Sequence, residues 1–192
     1  MPDPLTLSVI GAAALQEGVK FLYAQASELL QRRRERKNVA GDATAVKLRL
    51  PDSLGGGVIE ANPDLDLVAQ NQARLTELRS RLVNVADDLV DVDAADAGLL
   101  HDVSELRSLL EDVFGTHLTF TAETDRPPSG APVVSGRVRA EELRGADATG
   151  IEVEEMTAGT ARGEVDVDVA SEGSNVVGGR FGRIGPPRRR ED

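Results

Sequence analysis

Apolar residues recur at alternating steps of four and three in three stretches of the chain, and at steps of two in its last third. Leu15, Val19, Leu22, Ala26 and Leu29 follow at 4, 3, 4 and 3, which places them on one stripe of an α-helix. This predicts an amphipathic first helix over residues 1–37, with Asp3 as cap and Pro4 in the first turn. Gly11, Ala12, Ala13, Ala14 and Gly18 keep its first half small, so another element can approach its backbone closely. Leu75, Leu78, Leu82, Val85, Leu89 and Val92 predict a second helix that starts at Asn62-Pro63 and runs to residue 92. Leu99, Val103, Leu106, Leu110 and Val113 predict a third over 93–114, capped by Asp93 and ended by Gly115. Matching seams on successive helices imply an antiparallel hairpin of coiled-coil type, with the first stripe as its third member.

Residues 38–62 read as a flexible connector with one short strand at 45–50, followed by a turn at Gly55-Gly56-Gly57. These glycines lack the Gly-Lys-Ser/Thr of a phosphate loop. Residues 117–122 alternate like a strand with His117, Thr119 and Thr121 on one face, and 123–132 form a Pro-rich linker at the domain boundary. Beyond it, β-type runs follow Gly136, Gly150 and Gly163 at steps of 14 and 13, while Gly145, Gly159 and Gly173 trail them, and a fourth run starts at Val176. Each unit is one strand and one turn, too short to bury its own apolar face, so the units must stack on each other, on the helices or on other chains. The stacking residues are Val138, Ile151, Val153, Val165, Val167, Val169, Val177 and Phe181.

Two arrangements fit this repeat, an antiparallel meander and a β-solenoid-like stack. Opposite charges on Arg137 and Arg139 against Glu152 and Glu154 favour the first run beside the second, and by the same rule the third beside the fourth. The fold class is therefore α+β: an N-terminal three-helix bundle or helical hairpin with a long first helix (hairpin and short strand at 63–122), then a β-repeat over 133–185 and a basic tail at 186–192.

Charge and residue counts narrow the function. The 192 residues carry 22 basic and 33 acidic side chains, a net charge of −11, unsuited to neutralising nucleic-acid phosphates. Fifteen acidic and five basic residues fall between Glu60 and Arg126, so the helical hairpin holds most of that charge. There is no cysteine, only two histidines, and five aromatic residues in all, which removes thiol chemistry, Cys-ligated metals and a base-stacking platform. Asp91, Asp93 and Asp96 resemble a calcium loop in composition, but Asp96 stands where that loop needs glycine. Ser, His and Asp are present without a nucleophile elbow or other catalytic spacing. The expectation is a non-enzymatic protein with no catalytic, cofactor or metal site.

The uncharged stretch 4–16 is too short to cross a bilayer, and a longer span would bury Glu17 and Lys20 at its middle. The sequence thus predicts a cytoplasmic protein. The basic run Arg32, Arg33, Arg34, Arg36 and Lys37 offers anion or membrane contact at the inner face, or else a solvated helix end that suits the dipole.

The opening Asp3-Pro4-Leu5 with its small-residue helix, the helical bundle, and the Gly-rich motif Gly173-Ser-Asn-Val-Val-Gly-Gly-Arg-Phe181 together resemble bacterial proteins with HeLo-like helical domains and amyloid-type signalling motifs. An Arg to Lys ratio of 19 to 3 agrees with a bacterial source. The resemblance implies a C-terminal motif that assembles by templating and an N-terminal helix that acts on membranes. Two functions follow as expectations: a self-assembling or protein-binding scaffold whose partner is a second copy or another protein, and a membrane-active effector whose first helix inserts on oligomerisation.

Overall fold

A computed structural model describes Leu7 and residues 10–36, 45–143, 147–156, 159–171 and 174–184. The chain is a mixed α and β protein that divides into two compact units, Met1–Gly130 and Ala131–Asp192.

In the first unit, helix α1 spans Ala12–Arg36. The predicted start at Asp3-Pro4 lies outside the described residues, as does Lys37. All five stripe residues are buried, Leu15, Val19 and Leu22 completely, against α3 (Gln72–Ala86) and α4 (Ala97–Phe114). Gly18 lies under the ring of Phe120, and a Cβ at that position would fall on its Cε1 and Cζ. The small residue is there to seat an aromatic ring.

The connector holds two strands rather than one. Strand β1 (Val46–Arg49) pairs antiparallel with β2 (Val58–Ala61), from Val46↔Ala61 to Arg49↔Val58. The second run, Val-Ile-Glu-Ala, lacks the apolar–polar alternation that marks the first, and so does not announce itself beside the three glycines that turn the hairpin.

The predicted helix over 63–92 is broken and shorter. Asp64, not Asn62, is its cap, accepting the Asp66 and Leu67 amides at 2.9 and 3.0 Å. Helix α2 (Leu65–Gln70) ends at Asn71, whose side-chain amide donates to the Leu67 carbonyl and competes with the helical ladder. Helix α3 then stops at Ala86 because Asp87 and Asp88 oppose the negative end of its dipole. Asp88 takes a left-handed conformation, φ 58°, and its carboxylate is drawn to Lys20 and Gln16 of α1. Leu89, assigned to the seam by its spacing, is consequently 72% exposed, and Val92 is buried but outside any helix.

The third helix likewise begins later than predicted. Asp96 caps α4 by accepting the Gly98 and Leu99 amides, whereas Asp93 turns the chain by accepting from Ala95. The seam of Leu75, Leu78 and Leu82 on α3 with Val103, Leu106 and Leu110 on α4 is fully buried or nearly so, while Leu99 is only half-buried. Arg74–Glu105 and Arg81–Asp102 bridge the two helices along its outer edge.

Residues 117–122 form no strand. Thr116, His117, Leu118, Thr119 and Phe120 are all buried, so the expected division into a polar and an apolar face does not arise. The segment is wedged among the helices and takes its hydrogen bonds from side chains and isolated backbone groups instead of a ladder.

The second unit contains β3 (Val133–Leu143), β4 (Asp147–Met156), β5 (Thr160–Ala170) and β6 (Asn175–Ile184). Strand β3 pairs with β5 and β4 with β6, both parallel. This overturns the antiparallel meander and the expected pairing of first run with second and third with fourth. The reason is geometric. Consecutive strands pack in opposite layers, so each strand meets its hydrogen-bonding partner two runs later. Gly136 and Gly163 are register partners two glycine steps apart.

Candidate functional site

The second unit is organised around a crossing of glycines. A Cβ on Gly136 would fall on the carbonyl oxygen of Gly150, and one on Gly163 would fall on that of Gly178. The two sheets therefore approach backbone to backbone at this level, which only glycine permits. Ile151, buried, closes in beside both glycines of the β3–β5 sheet.

Register then decides which residues meet. Val138 lies opposite Val165, Arg137 opposite Glu164, Arg139 opposite Asp166, Glu152 opposite Arg180 and Glu155 opposite Arg183. Each of these charged levels joins opposite signs. Between Ala140↔Val167 and Glu142↔Val169, Glu141 comes level with Asp168, a like-charged step. The charge pairing expected between neighbouring runs does not occur; in the register, opposite charges stand level between alternate runs instead.

Of the predicted stacking residues, Ile151 is buried, Val138, Val165, Val167 and Val177 are half-buried, and Val169 is 56% exposed. Val153 and Phe181 are register partners whose side chains lie outside the description. Among the described side chains of this unit only Val133, Ala148 and Ile151 count as buried. Among the described residues each strand of these two-stranded sheets has one partner, which leaves its other side as an edge.

In the helical unit, polar side chains gather where α4 meets the segment after it. Arg107, 1% exposed, donates to Glu123 at 2.6 Å, and the same carboxylate accepts the Phe120 amide at 2.9 Å. Glu111 accepts from the Leu118 amide at 2.9 Å and from Arg126 at 2.6 and 2.8 Å, with His117 Nδ1 at 3.5 Å. Burial alone would raise the Glu111 carboxyl, but His117, Arg126, the Leu118 amide and Arg107 together hold it below the ordinary carboxylate range. Sequence periodicity missed this cluster, because Arg107 and Glu111 flank an apolar seam where charges normally face water. The arrangement directs its hydrogen bonds to the protein's own backbone and cations, which ties the segment after α4 to that helix.

The basic end of α1 is partly engaged within the fold. Arg32 binds Glu28 at 2.6 Å, and Arg33 donates to Gln72 of α3. The side chain of Arg36 lies outside the description. A groove of about 80 Å³ between α1 and β1, floored by Leu29, Leu48 and Phe114 and rimmed by Arg32 and Lys47, is well below the usual size of small-molecule sites. Among the described residues no cluster of three His, Asp or Glu side chains is placed to hold a metal, and no helix is long and apolar enough to cross a membrane.

No family model, curated protein or solved structure matches the chain.

Proposed function

We propose that this chain is a non-enzymatic self-assembling protein whose second unit is a two-rung, solenoid-like stack that extends by adding copies of itself. Strands β3 and β4 make the first rung, and β5 and β6 make the second. The observation that carries this reading is the register: β5 pairs with β3 and β6 with β4 in parallel, with Gly163 level with Gly136, Val165 with Val138 and Glu164 with Arg137. A second copy placed on β5 and β6 repeats those levels, so that Glu164 stands between the Arg137 of its own chain's first rung and the Arg137 of the next copy.

Energetics support the same reading. Among the described side chains of the two rungs few are buried, and stacked repeats of this size gain stability as neighbours are added. Open parallel edges accept further strands unless something blocks them. The helical unit is then a folded domain carried by the stack. This is also what the resemblance to HeLo-like proteins with amyloid-type motifs implies for the C-terminal motif. The membrane-effector alternative requires Leu15, Val19 and Leu22 to leave a core in which they are fully buried.

The test is size-exclusion chromatography with light scattering on the full chain across concentration. A mass rising well above the 20.4 kDa of one chain, with a cross-β spacing near 4.8 Å in the aggregate, supports the proposal. A monomer throughout contradicts it.

A further inference from the structure

We propose that residues 117–130 form a detachable strap that opens from the helical unit as one piece, with Glu111 and Arg107 as its two catches and Phe120 as the plug. The inference is independent of the assembly reading, since it concerns the first unit alone.

The strap is tied to itself. The Gly130 amide donates to the His117 carbonyl at 3.0 Å and closes its ends. Ser129 Oγ accepts the Thr119 amide at 2.9 Å and donates to the Thr119 carbonyl at 3.0 Å, and Thr119 Oγ1 donates to the Pro127 carbonyl at 2.6 Å. Glu123 and Phe120 exchange a further pair, amide to carbonyl and amide to carboxylate. A loop with its ends together and its own internal bonds moves as a body. Gly115 before it and Gly130 at its end both stand at positive φ, 64° and 89°, where glycine lets the chain turn with little cost.

Leu118 and Phe120 pack into the apolar core, and the polar ties to the rest of the unit are few. Glu111 holds the Leu118 amide and Arg126, Arg107 holds Glu123, and the Ser53 carbonyl accepts the Thr121 amide. Arg107 Nη2, Glu123 Oε1 and Arg126 Nε are buried without hydrogen-bond partners in the closed strap. Water satisfies these atoms when the strap lifts, which lowers the cost of opening relative to the all-apolar seam of α3 and α4. Opening withdraws Phe120 and uncovers the recess over Gly18.

Hydrogen exchange of the full chain, read by mass spectrometry, tests this. The expected result is that peptides within 117–130 lose protection together and at least tenfold faster than those of α3 and α4. Glu123→Gln, which leaves Arg107 without its anion, should speed strap exchange a further tenfold and leave α3 within twofold. If strap and helices of the wild-type protein exchange at one common rate, the segment opens only by global unfolding and the proposal is overturned. The wild-type measurement decides even if the variant does not fold.

Discussion

Gly163 and Gly178 face each other across the two sheets of the second unit so closely that the carbonyl of one occupies the space a side chain on the other would need. Gly163→Ala should therefore force the sheets apart. Overpacking against a backbone costs about 1–3 kcal/mol, and the clash here is with a carbonyl rather than with a side chain that can turn away. The variant should lose β-type circular dichroism and assembly while the α-helical signal of the first unit stays. Assembly at the wild-type concentration would show that the crossing is not needed.

The register makes a charge prediction that neighbouring runs alone would not. Arg137 lies opposite Glu164, so Arg137→Glu should raise the concentration required for assembly, and Arg137→Glu with Glu164→Arg should restore it. Cross-strand charge pairs contribute about 0.2–1 kcal/mol each, multiplied along a stack. Because these levels join opposite signs, added salt should weaken assembly. Light scattering of the three proteins at 50 and 500 mM salt checks both statements, and failure of the double variant to recover would count against this register.

Within the helical unit, Leu82 and Leu89 share a seam in the sequence and part company in the structure. Leu82 is 1% exposed and Leu89 72%. Leu82→Asp should unfold the unit, since an unpaired buried charge costs several kcal/mol against a total of about 5–15. Leu89→Asp should shift stability by no more than about 0.5 kcal/mol. Thermal melts followed at 222 nm separate the two, and equal losses would mean that α3 continues past Ala86.

Acid should loosen the strap. Glu111 ionises more readily in the folded protein than in the unfolded chain, so the unfolded state binds the extra proton first and stability rises with pH. The contribution is complete above the unfolded value near about 4.3 and is lost as pH falls through the lower, folded value. Glu105, held down chiefly by its hydrogen bond from Arg74, acts in the same direction. The melting temperature should fall on acidification below about pH 5, and less steeply in Glu111→Gln. A variant as acid-sensitive as the wild type would remove Glu111 from the account.

Much of the helical unit was legible because a buried stripe leaves a 3.6-residue period, and Leu15 to Leu29 and Val103 to Val113 carry it without interruption. The helix ends were less so: Asn62, Asp64, Asp93 and Asp96 are all capable caps, and only the packed structure selects Asp64 and Asp96. Leu89 fits its heptad yet lies beyond a helix stopped by Asp87 and Asp88. In the second unit, alternation identified four strands but not their partners, because a period of two gives faces and says nothing of neighbours. The glycine spacing is consistent with the observed pairing, since Gly136 meets Gly163 after two steps. The pair Arg107 and Glu123 left no trace, as a buried ion pair looks in sequence like two exposed charges.

The most direct test of two-rung stacking uses a single nitroxide on Val169→Cys, a half-open position in a chain that has no other cysteine. In a stack that adds whole copies, like residues recur every second rung, so dipolar coupling in the assembled protein should report neighbours at about 9–10 Å, twice the ~4.8 Å strand spacing. A spacing near ~4.8 Å would mean one strand per copy per layer, and spectra without coupling would mean no stack; either result would contradict the account.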